Sequence, residues 1–245
     1  MSLDPPITAV LLAAHGDGGD WKRNDSVRAV AERLARRLDL PVDWAVLKEP
    51  ETFAAARTRL GAAAEGTVAV YPFFMADGYF VRERLPQRLA ASGFATVERL
   101  TPFGLDPRLV DLIEHRLRAV AALQDGRVPA DFRILMVAHG SGTGQPASRQ
   151  RAEAVAAELG WRGLGSIHLG FIEEAPFVGE AFAAVDPEIV LGFFASEGTH
   201  ALDDVATLVA ERPGILHHVA AIGTDLEVAD LVAQAVEDCI SRKAG

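Results

Sequence analysis

Val10-Leu11-Leu12-Ala13-Ala14-His15-Gly16-Asp17-Gly18 and Ile134-Leu135-Met136-Val137-Ala138-His139-Gly140-Ser141-Gly142 repeat one pattern at an offset of 124 residues. In each, five apolar residues run into His-Gly and then a second glycine. A second block, Val70-Tyr71-Pro72-Phe73-Phe74-Met75-Ala76-Asp77-Gly78, returns as Val190-Leu191-Gly192-Phe193-Phe194-Ala195-Ser196-Glu197-Gly198 at an offset of 120. A third, Gly104-Leu105-Asp106 with Asp111-Leu112, returns as Gly223-Thr224-Asp225 with Asp230-Leu231 at an offset of 119. Three blocks in the same order, with a slowly drifting offset, indicate a duplicated unit.

Outward from these blocks, each half reads as alternating strands and helices. Apolar runs at 7–13, 42–47, 67–74 and 96–100 predict strands, and 25–38, 52–62, 80–91 and 107–122 carry helical spacing, as in Val27, Val30, Leu34 and Leu38. The second half predicts strands at 133–138, 166–172, 188–194 and 217–222 and helices at 147–159, 177–184, 202–210 and 226–241. Strands alternating with helices through short connections imply parallel sheets covered by helices. The expected fold is α/β: two similar lobes, each a four-stranded parallel sheet flanked by helices, with a cleft between them. The polar stretch Gln124-Asp125-Gly126-Arg127-Val128-Pro129 is the expected linker, dividing lobes 1–124 and 125–245.

Composition narrows the function classes. Apolar residues are 49% and charged residues 24% of 245, as in folded soluble proteins. With 24 Lys+Arg against 34 Asp+Glu the net charge is −10, which disfavours binding to nucleic acid or an anionic membrane. Cys239 is the single cysteine, so neither an intramolecular disulfide nor a multi-cysteine zinc site is available, and a cytoplasmic setting is expected.

Ligands of open α/β sheets bind beyond the carboxyl ends of the strands. In the second half those ends are followed by His139, by Glu173 and Glu174, and by His200. Imidazole, carboxylate and imidazole suit a borderline divalent metal, whether cobalt, iron, nickel or zinc, and also accept protons near neutral pH. Alignment with Glu49 favours Glu174 as the inward acid, with Glu173 the alternative. The first half keeps His15 and Glu49, but Phe80 stands where His200 does and Arg84 where Asp204 does. A phenyl ring binds no metal. Arg82, Arg84 and Arg88 make the following helix basic, so the first lobe reads as a holder of an anionic substrate. Blander readings compete: His139 as the histidine of a tight turn, His15 as a structural remnant, Phe73, Phe74, Phe193 and Phe194 as core, and Gly140–Gly144 as a flexible loop without Walker spacing.

Together these pieces resemble the class II chelatases, namely the CbiX-type sirohydrochlorin cobaltochelatases and their ferrochelatase relatives of cobalamin and sirohaem synthesis. The likeness lies in A-H-G-S-G at 138–142, F-F-x-x-x-G-x-H-x-x-x-D at 193–204 and the closing G-x-D-x-x-x-x-D-L, in duplicated form over nearly the whole chain. The resemblance implies a lyase that inserts Co²⁺ or Fe²⁺, with Ni²⁺ or Zn²⁺ as alternatives, into sirohydrochlorin or a related tetrapyrrole, releasing two protons and using no prosthetic group or nucleotide. His139 and His200 match the family's metal-site histidines, and Glu173 or Glu174 its supplementary acid. Long members often keep the histidine pair in the first lobe, which Phe80 interrupts here. A polycarboxylate macrocycle needs local cations, for which Arg82, Arg84, Arg149, Arg151 and Lys48 are candidates. His15, Ser141 and Phe80 complete the expected substrate contacts. The expected protein is a monomer or homodimer; the competing reading is a non-catalytic carrier of metal or tetrapyrrole, and a phosphate-handling enzyme with His139 as nucleophile ranks third.

Overall fold

The computed structural model describes residues 5–16, 24–124, 126–142, 144, 146–196 and 200–244, with the backbone alone described at 200–204 and 244. The repeat builds two parallel sheets. Strand β1 (Ile7–Ala14) lies between β2 (Val42–Val46) and β3 (Thr67–Phe73), with β4 (Thr96–Arg99) at the edge beyond β3, giving the order β2-β1-β3-β4. The second sheet repeats that order as β6 (Ile167–Phe171), β5 (Ile134–Ala138), β7 (Ile189–Gly192) and β8 (His217–Val219). All pairings are parallel. In β1, consecutive residues Ala9 to Ala13 are fully buried. Because successive side chains leave opposite faces of a strand, such a run requires cover on both sides.

That cover comes from helices: α1 (Asp25–Arg37), α2 (Glu51–Leu60) and α3 (Leu85–Ala91) follow the strands of the first sheet, and α4 (Pro107–Ala122) comes next along the chain. In the second half they are α5 (Ala147–Leu159), α6 (Val178–Val185), α7 (His200–Ala210) and α8 (Val228–Ala244). One face of the first sheet packs Leu11, Ala13, Val68 and Val70 against Phe53, Leu60, Leu85 and Leu89. Leu135, Val137 and Val190 meet Val178, Phe182 and Val205 in the same way. Each buried Leu, Val or Phe contributes about 1.5–3 kcal/mol. The two four-stranded parallel sheets flanked by helices agree with the expectation from sequence.

One predicted helix differs. The segment 80–91 begins as a π-helical turn, Phe80–Arg84, before α3 takes over. Leu85 donates its N–H five residues back to the Phe80 carbonyl, and Pro86 has no N–H with which to continue an i→i−4 ladder. A regular helix over Arg82, Arg84 and Arg88 is therefore not what forms.

Packing divides the chain differently from the division at 124/125 read from the repeat. One compact unit comprises Met1–Leu105 with Thr224–Gly245, the other Asp106–Gly223. The closing helix of each half is thus exchanged: α8 packs on α1, and α4 on α5. The G-x-D-x-x-x-x-D-L blocks start and dock these helices. A Cβ on Gly104 would stand 1.9 Å from the Met75 carbonyl oxygen, and one on Gly223 2.1 Å from that of Ala195, so only glycine fits where the chain turns into each helix. Asp106 caps α4 by accepting from the Arg108 amide at 3.0 Å; Asp225 accepts from the Glu227 amide at 2.9 Å. The second aspartate of each block then meets an arginine: Asp111 accepts from Arg162 at 2.6 Å, and Asp230 from Arg37 at 3.2 Å.

Arg162 also donates to Glu114 and Glu158 at 2.9 and 2.7 Å, while Arg118 donates to Glu114 and to the Arg162 carbonyl. Arg162 and Arg118 hold the Glu114 carboxyl below the usual carboxylate range. A carboxyl with a lowered folded-state pKa adds stability above its unfolded value and loses it as pH falls through the folded one. The network is partly open to water, so Arg162→Ala is expected to cost only about 1 kcal/mol at neutral pH. Denaturation curves should show the gap from wild type narrowing as pH falls from about 6 to about 3; a gap independent of pH would remove Glu114 from the account.

Candidate functional site

The sheet pairing of β5 with β6 ends at Ala138 and Phe171, yet the two exits stay together. The Ile172 amide donates to the Ala138 carbonyl at 3.1 Å and the Glu173 amide to the His139 carbonyl at 3.0 Å. Their side chains consequently stand together, with Glu173 Oε2 3.6 Å from His139 Nδ1. Glu173 Oε2 also accepts from the Gly142 amide at 3.0 Å, which ties the acid to the glycine loop. Both side chains are 47% exposed, so an ion can reach them from water. Two ligands each about 2.1 Å from one ion at tetrahedral angles stand about 3.4 Å apart. The observed spacing therefore allows a shared ion with little movement. Among the described residues no third His, Cys, Asp or Glu completes a cluster with them. His200 opens α7, the helix after β7; its side chain lies outside the description, as do residues 197–199 of its motif.

Glu174 goes elsewhere. Its Oε2 accepts from Arg149 Nε at 2.8 Å, and its Cγ and Oε1 lie under Gly140, 2.8 and 2.9 Å from where a Cβ there would stand. Gly140 has φ +71°, which with that close approach makes glycine the residue the turn needs. Arg149 additionally donates to the Ala175 carbonyl and lies 4.3 Å over the Phe171 ring. The Glu174 carboxylate raises the guanidinium pKa further. Arg149, a sequence candidate for holding substrate carboxylates, is thus engaged with Glu174 instead, and the acid beside the imidazole is Glu173 rather than the residue favoured by alignment.

The first half has the same backbone with different side chains. The Leu47 amide donates to Ala14 and the Lys48 amide to His15, at 2.9 and 3.0 Å. Lys48 therefore occupies the position of Glu173. Glu49 does match Glu174, because buried Asn24 donates to its Oε1 at 2.7 Å as Arg149 does to Glu174. Phe80 packs edge-on against the His15 ring at a centroid distance of 4.5 Å, and His15 Nδ1 lies 3.1 Å from the Gly16 carbonyl oxygen. Tyr79 extends the aromatic surface 5.7 Å beyond Phe80, and both are exposed. Arg82 pairs with Asp77 at 3.0 Å, and Arg84 is half-buried in the π-helical turn. The loss of an acid at Lys48 escaped the sequence reading, because the register of the β2 exit is set by backbone hydrogen bonds. The available signal was Lys48-Glu49-Pro50 opposite Glu173-Glu174-Ala175-Pro176.

Of the other sequence candidates, Ser141 is half-buried between His139 and Gly142, and Phe73, Phe74, Phe193 and Phe194 are core. His115 and His168 are exposed. His217 and His218 are both half-buried on edge strand β8, where burial lowers the His217 pKa. Among the described residues no helix is long and apolar enough to cross a membrane.

The comparisons with known proteins agree with this fold. A family model described as CbiX matches residues 9–120. A solved CbiX structure, described as the terminal enzyme for biosynthesis of siroheme in denitrifying bacteria, is 32% identical, covering 94% of this chain and 98% of that one with a TM-score of 0.76. SirB from Bacillus subtilis with Fe³⁺ is 18% identical over 97% of both chains (TM-score 0.71). The sirohydrochlorin chelatase SirB from Bacillus subtilis subspecies spizizenii in complex with cobalt is 18% identical over 96% of both (TM-score 0.68). At that identity the two SirB structures establish a common fold. No curated protein sequence matches the chain. Identity of 32% along nearly the full length of a CbiX structure, on the same duplicated α/β fold, makes this chain a member of the CbiX family of class II chelatases.

Proposed function

We propose that the chain inserts a divalent ion, Co²⁺ or Fe²⁺, into sirohydrochlorin or a related tetrapyrrole, with His139, Glu173 and His200 as the groups that handle the ion. The observation that carries this reading is the pairing of His139 with Glu173, 3.6 Å apart and half open to water at neighbouring strand ends. Its relatives support it: one is the terminal enzyme for biosynthesis of siroheme in denitrifying bacteria, another a sirohydrochlorin chelatase in complex with cobalt.

In the reaction M²⁺ replaces two pyrrole protons, so the macrocycle releases two H⁺ for each ion it gains. A hydrated ion exchanges waters for one carboxylate oxygen and imidazole nitrogens. Few protein ligands leave open positions through which pyrrole nitrogens replace the remaining waters. Glu173 or His139, freed as the ion moves on, then accepts a pyrrole proton and passes it to solvent, which both reach. Glu174, bound to Arg149, takes no part as a ligand. Ser141, between His139 and Gly142, is the proposed substrate contact of the second half; in the first half His15, Phe80, Arg82 and Arg84 form an aromatic and cationic surface of the kind that suits a flat polycarboxylate.

Absorbance spectra of sirohydrochlorin with Co²⁺ or Fe²⁺ test the proposal: metalation should exceed the spontaneous rate. His200→Ala is expected to reduce it to background, whereas His15→Ala keeps most of it; equal losses would move the metal site away from the second half. Stoichiometric binding without turnover would instead identify a carrier. A complementary experiment restores what the first half lacks. Lys48→Glu with Phe80→His is expected to raise Co²⁺ stoichiometry from one to two per chain, by titration without tetrapyrrole.

A further inference from the structure

We infer that Arg149 and Glu174 are positioning residues whose ion pair aims Glu173 at the ion beside His139; this rests on the function proposed above. Glu173 and Glu174 share a peptide bond but serve opposite surroundings, the first exposed beside His139 and the second directed under Gly140. Holding one in place therefore restricts the other. Glu174 is an unfavourable residue to hold inward, because among the described residues its Oε1 is buried with no hydrogen-bond partner. An unsatisfied carboxylate oxygen is costly, and the Arg149 Nε bond to Oε2 at 2.8 Å is the contact that offsets it.

Arg149 is built to grip this segment. It donates to the Ala175 carbonyl as well as to Glu174, so it holds the chain at two successive residues. Phe171 supports its guanidinium from the strand side at 4.3 Å, and Glu153 faces it from its own helix at 3.4 Å. Without the cation, Glu174 is a partly buried charge lacking its counter-ion. Turning it toward water rotates the 173–174 peptide, and Glu173 leaves both the Gly142 amide and His139. The first half supplies an internal control. Asn24 holds Glu49 at 2.7 Å in the corresponding place, and the residue before it, Lys48, is exposed. The clamp presents whatever side chain precedes it, and only in the second half is that side chain a carboxylate.

Co²⁺ binding to the full-length chain without tetrapyrrole, followed by visible absorbance, tests this together with metalation kinetics. Glu173→Gln is expected to weaken Co²⁺ binding. Arg149→Gln should weaken it roughly ten- to a hundredfold, as loss of an outer partner of a metal ligand does, with Arg149→Lys in between. It should raise KM for Co²⁺ while leaving KM for sirohydrochlorin unchanged. In the Glu173→Gln background, Arg149→Gln should have no further effect. Wild-type affinity in Arg149→Gln, or full additivity of the two changes, would overturn the clamp and leave the proposed metal site standing. Wild-type affinity in Glu173→Gln would instead overturn the metal site itself. Should Arg149→Gln not fold by circular dichroism, Glu174→Gln carries the same double-mutant comparison.

Discussion

The hydrogen bond from the Glu173 amide to the His139 carbonyl lies two residues beyond the last paired position of β6 and one beyond that of β5. A parallel sheet normally lets its strands diverge at their carboxyl ends, where loops begin. Here the ladder runs on, so two side chains from segments 34 positions apart in sequence leave the sheet together. The glycine loop contributes the other fixed point, since Gly142 donates to the Glu173 carboxylate. The chemistry proposed for this chain depends on that backbone extension more than on the identity of any residue in the core.

The same extension exists in the first half, between Lys48 and His15, which separates what the fold maintains from what the reaction needs. Both halves keep the positive-φ glycine, a half-buried glutamate after the second strand and a side-chain donor to that glutamate. They also keep the glycine and the capping aspartate that start the exchanged helices. The parts that differ are the outward side chain before the glutamate and the residue following the third strand. Packing constrains the first set, because a Cβ or a missing donor would leave a clash or an unpaired buried oxygen. The second set faces water and was free to diverge.

Much of this was legible in the sequence. Apolar runs of five or more bounded by His-Gly mark strands covered on both faces, and the three repeated blocks mark duplication without any structural information. Asp106 followed by proline announces a capped helix start. Three features were not legible. The amphipathic face of α4 or α8 states that the helix must pack, not on which sheet; the choice shows in contacts such as Asp111–Arg162 and Asp230–Arg37. The π-helical turn at Phe80 depends on a one-residue slip of hydrogen bonds ahead of Pro86. The division of labour between Glu173 and Glu174 depends on Arg149, 25 positions away from Glu174, whose charge alone suggested a substrate contact.

The two changes in the first half do not weigh equally. Lys48 is exposed, and a flexible ammonium can turn into water, so its main consequence is the absence of a carboxylate ligand; at an effective dielectric near 20 its repulsion of an ion falls quickly with distance. Phe80 acts in place. Its ring lies edge-on against His15 at 4.5 Å. Desolvating a divalent cation against a phenyl ring has no compensating bond, whereas a flat conjugated macrocycle meets the same ring favourably. Under the proposed assignment, one substitution therefore both removes a metal ligand and adds an aromatic surface. Duplication makes such a change tolerable, because the other half retains its pair of His139 and Glu173.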